Sequence, residues 1–119
     1  MGADAASAFL VGRLALEGRT PRVVLKASTR GPLRGTAVHV FAVADDRLWL
    51  AQPRLLGEPA IASVPLTEVA GARMVPGPSP VVELGLGGRT VRYRALEDAA
   101  RCEEFVAALT DGRFPQSGS

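Results

Sequence analysis

A thiol and an imidazole are the one nucleophile–base pair this chain could build from cysteine, since it holds a single cysteine, Cys102, and a single histidine, His39. The thiolate is the attacking species in such chemistry and needs a cationic or imidazole neighbour to form. His39 sits between Val38 and Val40, and Cys102 falls on an apolar stripe near Phe105 and Val106, so both positions read more economically as core. One histidine and one cysteine are too few for a typical structural zinc site, and no metal or other cofactor is expected. The carboxylate pairs Asp45-Asp46, Glu97-Asp98 and Glu103-Glu104 read as a turn, a helix start and a helix surface, not as a facing hydrolytic dyad. Gly85-Leu86-Gly87-Gly88 lacks the Gly-Lys-Ser/Thr ending of a phosphate loop, and a strand pattern follows it where that loop requires a helix. Nothing here predicts an enzyme.

Charge is the stronger lead. The chain carries 14 bases, 13 of them arginine, against 12 acids, which leaves a small positive excess. Between Arg13 and Arg34, however, six bases (Arg13, Arg19, Arg22, Lys26, Arg30 and Arg34) meet only one acid, Glu17. A locally basic segment attracts phosphate, nucleic acid or an anionic lipid surface. Single-strand nucleic-acid binding also needs stacking aromatics among the bases. Only Tyr93, between Arg92 and Arg94, has that setting, so nucleic acid is not an expected partner.

The elements that must position these groups follow from length and periodicity. A chain of 119 residues suits one domain and buries roughly two-thirds of its unfolded surface, enough for a core without cross-links. The lone cysteine excludes an internal disulfide and points to a reducing compartment. No stretch approaches the ~18 uninterrupted apolar residues of a membrane span. Met1–Leu16 lacks a charged leading region and is broken by Arg13, unlike a secretory signal, and Ala6 stands where myristoylation requires a hydroxyl. The expected location is the cytoplasm.

Asp4–Leu16 reads as a short helix with Ala5, Phe9, Leu10 and Leu14 on one stripe, stopped by Gly18 and then by Thr20-Pro21. Arg22–Ala27 reads as a strand and Ser28–Gly35 as a loop. Thr36–Ala44 and Arg47–Gln52 flank Asp45-Asp46 as a hairpin. Short strands are predicted over Ala60–Pro65, Val69–Val75, Val81–Leu86 and Arg89–Ala95, the last two joined by Gly87-Gly88. Glu97–Leu109 places Ala99, Cys102, Phe105, Val106 and Leu109 on one face of an amphipathic helix, with Asp111-Gly112 as its stop.

This order predicts a mainly β (α+β) fold: about seven antiparallel strands in an open barrel, capped by a C-terminal helix and preceded by a short one. It resembles the pleckstrin-homology (PH) superfold, particularly bacterial PH-like domains. The resemblance rests on Asp45-Asp46-Arg47-Leu48-Trp49-Leu50, on the step Val64-Pro65-Leu66-Thr67-Glu68-Val69-Ala70-Gly71, and on the Gly-Gly hairpin that precedes the helix Glu97–Leu109. The implied organisation is a helical extension over residues 1–20, a PH-like domain over 21–110 and a flexible tail over 111–119. The implied function is a non-enzymatic binding or assembly module that recognises a protein partner or a second copy of itself, through a sheet edge or the strand–helix groove. The alternative it implies is peripheral attachment to anionic lipid or phosphate ligands at the inner membrane face, through Lys26, Arg30 and Arg34 around the first loop. The Arg-x-Arg of lipid-binding members is missing from the next strand, where Thr36–Val40 is neutral.

Overall fold

The computed structural model describes residues 3–31, 35–52 and 57–113. Its elements are α1 (Ala3–Leu16), β1 (Val23–Gly31), β2 (Gly35–Ala44), β3 (Arg47–Gln52), β4 (Ala60–Pro65), a single 3-10 turn (Leu66–Glu68), β5 (Val69–Val75), β6 (Val81–Leu86), β7 (Arg89–Ala95) and α2 (Ala99–Arg113). All strand pairings are antiparallel, in the order β4-β3-β2-β1-β7-β6-β5. The sheet is open, because β4 and β5 at its two ends do not pair with each other.

Alternation along the strands explains the layers. Leu25 and Ala27 of β1, Phe41 and Val43 of β2, Leu48 of β3, Val82 and Leu84 of β6 and Tyr93 of β7 point inward. The core they form is closed by Cys102, Phe105, Ala108 and Leu109 of α2. Phe41 lies at its centre, edge-on to Tyr93 at 4.7 Å between ring centroids and tilted against Phe105 at 5.7 Å. On the opposite face of the same strands, Val40, Ala42 and Ala44 of β2 and Trp49 and Ala51 of β3 are also buried, under Ala6, Leu10 and Leu14 of α1. Over Val40–Ala44 the strand has no solvated side, which is why these five residues are all apolar.

The buried stripe of α1 is therefore Ala6, Leu10 and Leu14, spaced four apart, whereas Ala5 is exposed and Phe9 only partly covered. The helix ends as its sequence predicts. Gly18 takes a left-handed φ of 74°, and Arg19 N–H and Gly18 N–H donate to the carbonyls of Leu14 and Ala15. Gly87 and Gly88, with φ of 58° and 78°, likewise turn β6 into β7.

Three boundaries differ from the sequence reading. Within Ser28–Gly35, expected as a loop, Ser28–Gly31 and Gly35 instead extend both strands of the first hairpin, with Ser28 opposite Val38 and Gly31 opposite Gly35; residues 32–34 lie outside the described residues. At the other end, α2 begins at Ala99 and not Glu97: Asp98 Oδ1 accepts from Arg101 N–H at 3.0 Å as the cap. It also runs through Asp111-Gly112 to Arg113, since one glycine near a helix end costs only about 1 kcal/mol.

Glu97 has a separate task. β1 meets β7 through only two register pairs, Ala27 with Ala95 and Ser28 with Arg94. Beyond them Leu96 N–H donates to the Lys26 carbonyl at 2.9 Å, and Glu97 Oε2 accepts from Lys26 N–H at 2.9 Å. A side chain thus continues the ladder after the backbone has turned away toward α2.

If α1 is an integral layer, Leu10→Ala lowers the unfolding free energy by about 2–4 kcal/mol in a denaturant titration. Leu16→Ala, at a position 86% exposed, changes it by less than about 0.5 kcal/mol. Equal effects at the two sites count against the packing of this helix.

Candidate binding surfaces

The three bases singled out by sequence do not appear as one grip. Lys26 lies on the face of β1 beneath α1, and its Nζ bonds Asp4 Oδ1 at 2.6 Å. That partner raises the Lys26 pKa and lowers that of Asp4. Arg30 stands near the end of β1, paired with Thr36, and Arg34 lies outside the described residues. Arg19, from the same basic segment, is spent on the scaffold: its guanidinium reaches Asp45 at 2.7 Å and lies over the Trp49 ring at 5.3 Å.

Cys102 and His39 are both set into the interior side of the fold. Burial, with Glu97, Asp98 and Glu103 adding to it, pushes the Cys102 thiol up, and burial pushes the His39 imidazole down. A thiolate–imidazolium pair needs both shifts reversed. His39 instead packs edge-on to Tyr93 at 5.5 Å. Among the described residues no group of three or more His, Cys, Asp or Glu could hold a metal ion. No helix among them is long and apolar enough to cross a membrane.

Two concave surfaces bear on binding. The first lies between β5 and α2, a groove of about 510 Å³. Ala72, Met74, Val106 and Ala107 give it an apolar floor, and Arg73, Glu103 and Asp111 a charged rim. Because β5 ends the sheet, its outer edge has no strand partner among the described residues. The pattern Val69–Val75 was legible as a strand, but its place at the edge is a property of topology.

The second surface is on the outward face of β5, β6 and β7. Register aligns Arg73, Glu83 and Arg92 in one row across the three strands. Glu83 is only 7% exposed, and its two oxygens take Arg73 Nε at 2.5 Å and Arg92 Nε at 2.6 Å. Arg73 foremost, with Arg92, holds the Glu83 carboxyl below its ordinary range against the opposing effect of burial. Arg94 lies in the next row, opposite Val81 on one side and Ser28 on the other. These residues and Val75 surround a cavity of about 340 Å³. The spacing in Arg92-Tyr93-Arg94 was visible in the sequence, but the facing Arg73 and Glu83 were not.

No family model matches the chain, and no curated protein does. Among solved structures it is similar to a crystal structure of the DH/PH domains of p115-RhoGEF (R399E mutant), with a TM-score of 0.54 and 13% identity. The match covers 85% of this chain and 32% of that one. At this identity the likeness is one of fold, and with the seven-stranded antiparallel sheet and its closing helix it shows a PH-like architecture.

The Glu83 shift has a pH consequence. Because folding lowers this pKa, the stabilisation is present above the unfolded-state value near 4.5 and is lost as pH falls through the folded value. Unfolding midpoints measured from pH 6 down through this range are expected to fall more steeply for the native chain than for Glu83→Gln. Parallel curves are the contrary result.

Proposed function

We propose that this chain is a non-enzymatic binding module that takes a peptide segment of a protein partner as an added strand on β5, against α2. One observation carries the reading: the unpaired edge of β5 borders an apolar groove whose far wall is α2. An incoming strand gains main-chain hydrogen bonds along the edge, and alternate side chains enter the groove. The floor of Ala72, Met74, Val106 and Ala107 suits an apolar side chain of moderate size. Glu103 and Asp111 on the rim favour a lysine or arginine beside it. A strand from a second copy is one form of such a partner. The p115-RhoGEF fragment shares the architecture and supports a role in binding, since folds of this kind generally mediate protein or lipid contacts.

Attachment to anionic lipid through Lys26, Arg30 and Arg34 draws less support. The Lys26 ammonium already bonds Asp4, and detaching it costs part of whatever a headgroup supplies. Cosedimentation with phosphatidylserine vesicles at low salt, lost on charge reversal of these three residues, is the result that would favour this reading instead.

Selection of peptides from a displayed random library, followed by chemical-shift mapping, tests the groove. Selected peptides are expected to shift amides of β5 and the exposed side of α2. Ala107→Trp, which fills the groove from an exposed position, is expected to weaken them at least about tenfold. Peptides that map elsewhere, or that bind Ala107→Trp as well as the native chain, contradict the assignment.

A further inference from the structure

We infer that the outward face of β5–β7 is a second site, meeting the peptide groove only at Arg73, that binds the phosphate monoester group of a small soluble molecule, held by Arg73, Arg92 and Arg94 above Ser28. The two halves of the sheet treat their outward faces differently. Over β2 and β3 that face is covered by α1, whereas over β5–β7 it carries three arginines and one carboxylate. One arginine is enough to neutralise Glu83. Three guanidiniums against one carboxylate leave two positive charges, which matches a phosphate monoester in its doubly ionised form.

The geometry adds to the count. Both Arg73 and Arg92 engage Glu83 through Nε, and no hydrogen bond from the Nη groups of either is seen among the described residues. Their side chains are 71% and 72% exposed, while the carboxylate that anchors them is almost wholly buried. Glu83 therefore acts as a positioning residue: it fixes the inner edge of two guanidiniums and leaves their outer donors to a ligand. Restricting the two guanidiniums beforehand reduces the ordering cost on binding. Arg94 has no acidic partner among the described residues and completes a three-sided rim, while Ser28, 5% exposed, stands at the floor. Three donor groups around a concavity suit a tetrahedral oxyanion with three free oxygens better than a planar carboxylate with two. The cavity of about 340 Å³ also leaves room for several carbon atoms against Val75 and Val81.

The probe is inorganic phosphate, titrated at constant ionic strength with chloride as the control and read from the Nε–Hε resonances of the arginines. Saturable shifts at Arg73, Arg92 and Arg94 with phosphate but not with chloride are expected. Arg94→Ala is expected to weaken phosphate about tenfold, the loss of one charge-assisted contact, without moving the thermal midpoint. Shifts that chloride reproduces, or an unchanged affinity in Arg94→Ala, overturn the site. A lipid headgroup offers the same chemistry, so phosphatidylcholine vesicles doped with phosphatidic acid form the second arm. Binding to those vesicles without a response to inorganic phosphate overturns the assignment to a soluble ester. Ala107→Trp is expected to leave the phosphate response intact, which separates this site from the peptide groove.

Discussion

The seam between β1 and β7 is where the two halves of the sheet are joined, and its shortness governs much of the rest. Two register pairs are few for a junction that must hold β4-β3-β2-β1 against β7-β6-β5. The Leu96 amide and the Glu97 carboxylate lengthen it by satisfying the carbonyl and amide of Lys26, groups that otherwise lose a partner as the chain leaves the sheet. Asp98 then caps α2 in the next position. Three consecutive residues thus finish a strand, close the seam and start the helix that plugs the core. Phe105 of that helix meets Phe41 of β2, so the same connection holds the far wall of the core in place.

An open sheet leaves two consequences that bear on function. One is the exposed edge of β5, which a closed barrel would not possess. The other is the difference between outward faces. α1 buries one face with Leu10 and Leu14 and ties it with Arg19–Asp45 and Lys26–Asp4, whereas the other holds its arginines around Glu83. The basic segment Arg13–Arg34, the most conspicuous charge feature of the sequence, contributes at least two of its cations to contacts within the protein. Charge density along a chain does not distinguish a cation aimed at a ligand from one aimed at a neighbouring helix.

The strands were legible because their period was local. Val81–Leu86 and Arg89–Ala95 alternate around a Gly-Gly turn, and the inward set containing Val82, Leu84 and Tyr93 is the set that the alternation selects. The amphipathic face of α2 was legible for the same reason in Cys102, Phe105 and Leu109. The stripe of α1 was harder: a helix rich in alanine offers several apolar faces of similar width, and only contact with β2 and β3 selects Ala6, Leu10 and Leu14. Ser28–Gly31 and Gly35, expected in a loop, are paired strand because nine residues of β1 find partners on β2, a gain that the glycines in the linear sequence do not reveal.

Composition and periodicity alone determined the element order, the stop of α1 at Gly18, the Gly87-Gly88 turn and the closing helix, since each depends on forces acting within a few residues. The joining of Arg73, Glu83, Arg92 and Arg94 on one face, the engagement of Lys26 by Asp4, and the unpaired position of β5 were decided only by tertiary structure. Register and strand order bring together residues that are nine to twenty or more positions apart, and side-chain electrostatics depends on distance in space, not along the chain.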